Sequence, residues 1–548
     1  MPITDFLERN ARDYGDDACL VEINPELVDR DNLPWKEYAL VETAHVRGYR
    51  KEITWREFDD RADRLAGLLI ERGVRKGDKV ALLLMNCIEW LPAYFGILKS
   101  GATVVPLNYR YTSDEIKYCL GLADVSVLLF GPEFIDRLDQ IKGQLPDIRH
   151  SFFIGEGRPD FAEPYDEAVG GLPARPVGIP LDDGDDAAIY FSSGTTGFPK
   201  AILHSHGSLV SACVTEQRHH GQTRDDVFLC IPPLYHTGAK MHWFGSLISG
   251  GRAVLLRGTS PKWILDAAAK EGASIVWLLV PWAQDILDAI ECGDVEPGGY
   301  GLDRWRLMHI GAQPVPPSLI KRWKRHFPAH EYDTNYGLSE SAGPGAVHLG
   351  VENMHKVGAI GRAGYGWKAK IVGEGGQPVA RGEVGELAVS GPGVMKCYYN
   401  DPEATEAVLK GGWLHTGDMA REDDDGFIYL VDRKKDVIIT GGENIYPVQI
   451  EDFLRKFEKI RDVAVIGLPH HRLGEIAAAV VEIKPGEESS EDEIMRFSLD
   501  LPRYKRPRVV IFDEVPRNPT GKIEKPRLRE KYAGGSVVAR QINEPAQS

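Results

Sequence analysis

The sequence predicts an α/β protein: a large N-terminal domain of parallel-rich sheets covered by helices, then a small C-terminal α+β domain. Three observations lead there. Nearly all-apolar, strand-length runs alternate with helix-patterned segments over the first two-thirds of the chain, as expected for strand–helix–strand units in sheets buried on both faces. The 548 residues exceed what one hydrophobic core usually organises, so at least two domains are expected. The pattern then changes near residues 431–436 (VDRKKD), and the remaining stretch of about 115 residues is long enough for a core of its own.

In chain order, residues 79–84 (KVALLL) read as a strand, 89–101 as an apolar helix and 103–107 as the next strand. A helical pattern at 113–123 leads to strand 125–131. The rhythm returns at 273–280 with helix 282–290, and at 305–310 with helix 318–327. Beyond the change come strand 436–440, an amphipathic helix with Ile450, Phe453, Leu454 and Phe457 on one face, and strands 462–468 and 476–484. A second helix at 491–500 and a last strand at 508–515 follow. The charged run 433–436 is the candidate linker, which gives domains 1–432 and 433–548.

Composition excludes some partners. Apolar residues make up 43% and charged residues 27%, as in ordinary globular proteins, and the net charge of −16 opposes a nucleic acid or an anionic membrane as the main partner. Seven scattered cysteines without a C-x-x-C pair read as reduced thiols, not a disulfide frame or a cysteine zinc site. The polar, acidic N-terminus lacks the apolar stretch of a signal peptide, and the C-terminal NEPAQS is neither a prenylation box nor a peroxisomal address. The most apolar run, 275–283, falls far short of the roughly 20 residues that span a bilayer. A cytoplasmic protein without a transmembrane segment is expected.

Five polar clusters follow strand-like segments. After Ala187–Tyr190 comes a loop in which Ser192, Ser193, Thr195, Thr196 and Lys200 stand among glycines. Such a loop can turn backbone N–H groups and hydroxyls onto phosphate oxygens, with lysine adding a point charge. Ordinary P-loop spacing is not met, because Phe198-Pro199 separates Gly197 from Lys200, and Pro199 disfavours a helix starting at Thr196. The other clusters are Gly311-Ala312-Gln313-Pro314, Asn335-Tyr336-Gly337-Leu338-Ser339-Glu340, Leu414–Asp418 and Asp432-Arg433. They supply backbone for a flat ligand, an aromatic face, hydroxyls and carboxylates.

The ordered set YFSSGTTGFPK, YGLSE, WLHTGD, DRKKD and RNPTGK resembles that of the adenylate-forming (AMP-binding) enzymes, most of all their acyl-CoA synthetase branch, over about residues 50–530. The resemblance implies an AMP-forming acid–CoA ligase. A carboxylate attacks the α-phosphate of ATP, pyrophosphate leaves, and the CoA thiol then takes the acyl group and releases AMP. No enzyme nucleophile is needed, so positioning and fixed positive groups supply most of the effect. By matched position, Ser192, Ser193, Thr195, Thr196 and Lys200 would hold the β- and γ-phosphates, and Tyr336 would stack on adenine with Gly311, Ala312 and Asn335 at its edge. Ser339 would meet the α-phosphate, Glu340 would bind Mg²⁺, and Asp418 with Arg433 would hold the ribose hydroxyls.

The resemblance makes the C-terminal domain a mobile lid. Lys522 would reach the carboxylate and α-phosphate during adenylation, and the domain would then rotate about Lys435. Gly442 would then line the pantetheine tunnel, where a side chain would obstruct, and Tyr504 and Arg506 would meet the nucleotide end of CoA. His236 would gate the acyl pocket, with Tyr235, Lys240 and Trp282 as candidate walls. The aspartate that meets the ammonium group in amino-acid-activating relatives is missing near 234–239, which disfavours amino acids. Aliphatic, alicyclic, aromatic and dicarboxylic acids stay open. So does an adenylation enzyme that loads a separate acyl carrier protein, since no carrier motif follows the small domain. A luciferase-like oxygenase and a nucleotide sensor without chemistry are the remaining alternatives. A homodimer is implied only at the family level.

Overall fold

The strand-length apolar runs of the first two-thirds enter two large sheets. The computed structural model describes all residues except 26–49, 146, 193–198, 313–314, 441–442, 471, 518–522 and 534–548. They pack as two compact units, the first of residues 1–369 with 389–414, the second of 370–388 with 415–548.

In the first unit, an eight-stranded sheet runs Cys397–Tyr398, Ala201–Ser205, Asp186–Phe191, Thr103–Pro106, Lys79–Leu83, Val125–Phe130, His150–Phe153, Glu163–Pro164. From Asp186–Phe191 onward the neighbours are parallel, with Ala81 opposite both Val105 and Leu128. A seven-stranded sheet runs Glu331–Asp333, Leu307–Gly311, Ile275–Leu279, Val227–Cys230, Arg252–Leu256, Ala18–Ile23, Arg50–Thr54, antiparallel only at its last pair. Thr54 with Glu57 and Thr112 with Glu115 form capping boxes that start the helices Trp55–Glu71 and Ser113–Leu122. Helix Trp90–Lys99 is buried at every position, which explains its lack of a polar face. Its one charge, Lys99, is ion-paired with Asp59 at 2.5 Å and Asp63 at 2.6 Å.

A third, three-stranded antiparallel sheet joins Asn335–Leu338, Gly343–His348 and Arg362–Ala363, with Asn335 opposite His348 and Tyr336 opposite Val347. Here a glycine is required sterically: a Cβ on Gly364 would fall inside the Gly345 carbonyl oxygen.

In the second unit, the long antiparallel pair Ile460–His470 and Gly474–Ile483 forms the spine, with Val509–Phe512 parallel to the latter and the short strands Ile438–Thr440 and Glu443–Ile445 beyond. Alternate residues serve two cores. Val463, Val465, Ala477, Ala479 and Val481 pack with Ile450, Leu454 and Ile494 from helices Pro447–Leu454 and Glu491–Phe497. Ala464, Ile466, Ala478 and Val480 pack with Val509 and Leu528, the latter from helix Lys525–Ala533. Burial on both faces is why these strands read as unbroken apolar runs. Phe457, expected on the first of these helices, lies past its end at Leu454 but still packs on the same core.

Lys525 is buried at the start of the last helix, its Nζ 2.8 Å from Glu451 Oε1, which also accepts the Val465 N–H. Removing one partner of a buried pair leaves the other charge unmatched, so Lys525→Ala is expected to cost about 3–5 kcal/mol of stability. Denaturant unfolding of the full chain, followed by a probe in the second unit, would measure it. A loss below about 1 kcal/mol would mean the pair is not held as described.

Candidate active site

The polar loop after Asp186–Phe191 is the connection of an antiparallel pair, since Ala201–Ser205 returns beside that strand with Tyr190 opposite Ile202. Its neck is clasped twice: the Ser192 N–H donates to the Lys200 carbonyl at 3.0 Å, and the Lys200 N–H donates to Ser192 Oγ at 3.0 Å. Ser193, Thr195 and Thr196 lie outside the described residues.

The Lys200 ammonium stands 4.7 Å from the centre of the Tyr398 ring. Tyr398 sits on the edge strand opposite Ile202, and its hydroxyl donates to Glu340 Oε1 at 2.8 Å. Glu340 is fixed through its backbone as well, its carbonyl accepting the Met395 N–H at 2.8 Å. Burial, reinforced by the Glu340 charge, pushes the Tyr398 phenol well above its ordinary value, so it remains a donor at neutral pH. Lys200 and Glu340, 140 positions apart in sequence, thus meet on one tyrosine that sequence reasoning passed over.

Ser339 opens a short 3₁₀ turn, Ser339–Ser341, and its carbonyl lies 2.7 Å from Nε2 of the buried His204. Ala342 ends that turn at φ +64°, and Ala312, after the strand Leu307–Gly311, has φ +68°. A left-handed alanine costs about 1–2 kcal/mol; Ala312 belongs to the Gly311–Pro314 cluster, and Ala342 stands two residues past Glu340, just outside the Asn335–Glu340 cluster. The Asn335 carboxamide donates to Glu216, a buried carboxylate on helix His206–His220, while Tyr336 is buried on the next pleat.

On the acyl side, Tyr235 packs edge-on against Tyr109 (5.3 Å between ring centres) and tilted against His236 (4.2 Å), and His236 stands at the N-cap position of helix Thr237–Ser249. Asn86, another residue the sequence did not mark, straps the preceding backbone: its Oδ1 accepts the Leu234 N–H and its Nδ2 donates to the Pro232 carbonyl. Trp282 is buried in the first turn of helix Val280–Glu291. The side chain of Lys240 lies outside the described residues.

In the second unit, Asp418 and Arg433 face each other across the antiparallel strands Trp413–Glu422 and Ile428–Arg433, with Arg433 Nε 3.6 Å from Asp418 Oδ1. Glu386 holds this motif: its Oε1 accepts the Gly417 N–H at 3.0 Å and its Oε2 lies 3.3 Å from Lys434 Nζ. Burial alone would raise the Glu386 carboxyl, but the Gly417 N–H and Lys434 outweigh it and hold it below the usual range. Lys435 lies in the turn that follows, closed by the Asp436 N–H to the Arg433 carbonyl. Asp432 accepts from the N–H groups of Arg433 and Val448, and burial pushes its carboxyl up to about 6, with Lys525 acting the other way. Gly442, Lys522 and the side chain of Tyr504 lie outside the described residues. Arg506 is described, and donates to the carbonyls of Leu501 and Leu499.

Comparison with known proteins covers nearly the whole chain. The model of the AMP-binding enzyme family matches residues 33–399, and that of the AMP-binding enzyme C-terminal domain matches 449–522. A feruloyl-CoA synthase from Amycolatopsis is 34% identical over 492 residues, 89% of this chain and 95% of the relative. A long-chain-fatty-acid–CoA ligase from Mycobacterium tuberculosis is 33% identical over 484 residues, 88% and 93% of the two chains. Among solved structures, an anthranilate CoA ligase in complex with anthranoyl-AMP superposes with a TM-score of 0.86 at 25% identity, covering 97% of both chains. The chain therefore belongs to the AMP-binding enzyme family, in its acyl-CoA synthetase branch.

Proposed function

We propose that the residues assembled above activate a carboxylic acid with ATP and pass its acyl group to CoA, as an AMP-forming acid–CoA ligase. The observation that carries this reading is the chain Lys200–Tyr398–Glu340, which brings the phosphate loop and the Ser339-Glu340 motif to one place. In the first half-reaction, Ser192, Ser193, Thr195, Thr196 and Lys200 hold the outer phosphates. Tyr336, Asn335, Gly311 and Ala312 hold the base, Ser339 meets the α-phosphate, and Asp418 with Arg433 takes the ribose hydroxyls. Glu340, half-buried with one oxygen fixed by a hydroxyl, offers the oxygen donor that Mg²⁺ prefers, and bound Mg²⁺ neutralises phosphate charge. Lys522 steadies the negative charge that grows between carboxylate and α-phosphate. In the second, residues 433–548 turn about Lys435, Gly442 borders the thiol path, and Tyr504 and Arg506 meet the nucleotide end of CoA.

CoA is favoured over a carrier protein as acceptor because the curated relatives that match over nearly their full length are CoA ligases. Tyr109 and Tyr235 beside His236 give the acyl side an aromatic wall, which with Trp282 suits a ring-bearing acid. Lys240 belongs to the same reading as a partner for a second polar group on the acid. A cytoplasmic setting belongs to the same proposal, supported by seven cysteines that are all free thiols. A homodimer is the proposed assembly.

The test is AMP release from Mg-ATP with a panel of aliphatic, alicyclic, aromatic and dicarboxylic acids, with and without CoA. Release that needs both an acid and CoA, fastest with ring-bearing acids, is expected. AMP limited to one enzyme equivalent and unaffected by CoA would exclude CoA as the acceptor. A second test addresses Tyr398. Tyr398→Phe keeps the ring over which Lys200 sits but loses a hydrogen bond to a charged group, about 1.5–3 kcal/mol, so acid-dependent pyrophosphate release should slow roughly 10- to 100-fold. A wild-type rate would remove Tyr398 from the mechanism.

A further inference from the structure

Behind Asn335, five buried side chains from four elements point at one another. Glu216 and His220 lie four residues apart on one face of helix His206–His220, and they face His309 on strand Leu307–Gly311, Asp333 on strand Glu331–Asp333 and His348 on strand Gly343–His348. His220 Nε2 is 2.9 Å from His309 Nδ1, 3.4 Å from Glu216 Oε2 and 3.4 Å from Asp333 Oδ2, and His348 Nδ1 is 3.1 Å from the same Asp333 oxygen.

Hydrogen bonding alone serves this arrangement poorly. An imidazole nitrogen carries at most one proton, so His220 Nε2 can donate to only one of its three neighbours. Two carboxylates buried to this depth also need more than partial neutralisation. The outer oxygens are already committed. Asp333 Oδ1 accepts the N–H groups of Thr334 (2.7 Å) and Gly350 (2.8 Å), and Glu216 Oε1 accepts the Asn335 carboxamide. Each carboxylate is thereby oriented with its other oxygen toward the imidazoles, the way outer partners orient metal ligands. Within the trio His220, Asp333 and His348 the separations of 3.1–3.4 Å suit donors placed about 2.0–2.2 Å from a common small dication.

We propose that this cluster holds a structural site for a divalent transition metal of the zinc class, with His220, Asp333 and His348 as its ligands and Glu216 and His309 packed against His220. Imidazole and carboxylate donors are the set that zinc and cobalt accept. Full burial makes the role structural: the ion ties strands Glu331–Asp333 and Gly343–His348 to helix His206–His220, and it enters as the chain folds. The ion takes no part in the adenylation steps, although Glu216 of the same cluster holds Asn335, assigned above to the base.

The test is elemental analysis of the full chain, purified without metal resin from zinc-supplemented medium, and of chain refolded with Zn²⁺ or Co²⁺. About one ion per chain is expected, with refolding yield raised by Zn²⁺ and, for Co²⁺, the d–d absorption of a low-symmetry nitrogen–oxygen site. His220→Ala and His348→Gln should each lose the ion. Wild-type chain holding less than about a tenth of an equivalent after both treatments would overturn the proposal, leaving an ionic hydrogen-bond network. Retention of the full equivalent in both variants would also overturn it, placing the ion elsewhere.

Discussion

Lys522→Ala is expected to abolish acyl-adenylate formation, by at least 10²–10³-fold as when an oxyanion donor is removed, while thioester formation from a supplied acyl-adenylate stays near the wild-type rate. The first half-reaction brings an anion to a polyanion, and a cation at the developing charge acts most in that transition state. Thiol attack on the mixed anhydride does not draw on the same cation. The described residues on either side are fixed: Arg517 pairs with Ile523 in an antiparallel bridge, Arg517 is anchored on Asp462 at 2.7 Å, and Lys525 is buried on Glu451. Separate assays of pyrophosphate release and of acyl-CoA formation decide the matter. Equal loss in both, with stability unchanged, would show that Lys522 does not serve adenylation alone.

Glu340→Gln is expected to lower the adenylation rate about 100-fold, in the range of lost electrostatic stabilisation at a transition state, and to raise the Mg²⁺ concentration needed for half-maximal rate. The amide still offers an oxygen to the Tyr398 hydroxyl, so the local packing should persist and the melting temperature should change little. What is lost is the charge, on which the proposed binding of Mg²⁺ depends. Titrating Mg²⁺ at saturating ATP and acid separates the two effects. An unchanged Mg²⁺ dependence would remove Glu340 from the metal's shell.

Much of this architecture was legible because its strands are covered on both faces. Apolar runs such as residues 79–84 and 476–484 carry that burial in their composition, and the capped helices between them announce their starts. The motifs were legible because each is local: Ser192 and Lys200 clasp one loop, and Asp418 and Arg433 share one hairpin. The supporting residues were not. Tyr398, Asn86, Glu216 and Glu386 are single polar residues whose contacts to the site motifs span 31 to 198 positions and are brought close only by tertiary packing. No local pattern announces such a contact. The division at 432/433 came from a change in composition and describes the segment proposed to rotate. Compact packing groups 370–388 and 415–432 with the C-terminal strands, and there Gly385–Ser390 and Ile428–Arg433 pair with Trp413–Glu422 in a sheet of their own.

The central claim is that the acid is activated as an acyl-adenylate. Its most direct test uses an accepted acid labelled with ¹⁸O in both carboxylate oxygens, turned over with Mg-ATP and CoA, with the products read by mass spectrometry. Attack of the carboxylate on the α-phosphate followed by thiol attack on the acyl carbon predicts one ¹⁸O in each AMP and none in pyrophosphate. Label in inorganic phosphate, with ADP formed in place of AMP, would mean an acyl phosphate intermediate and would contradict the mechanism.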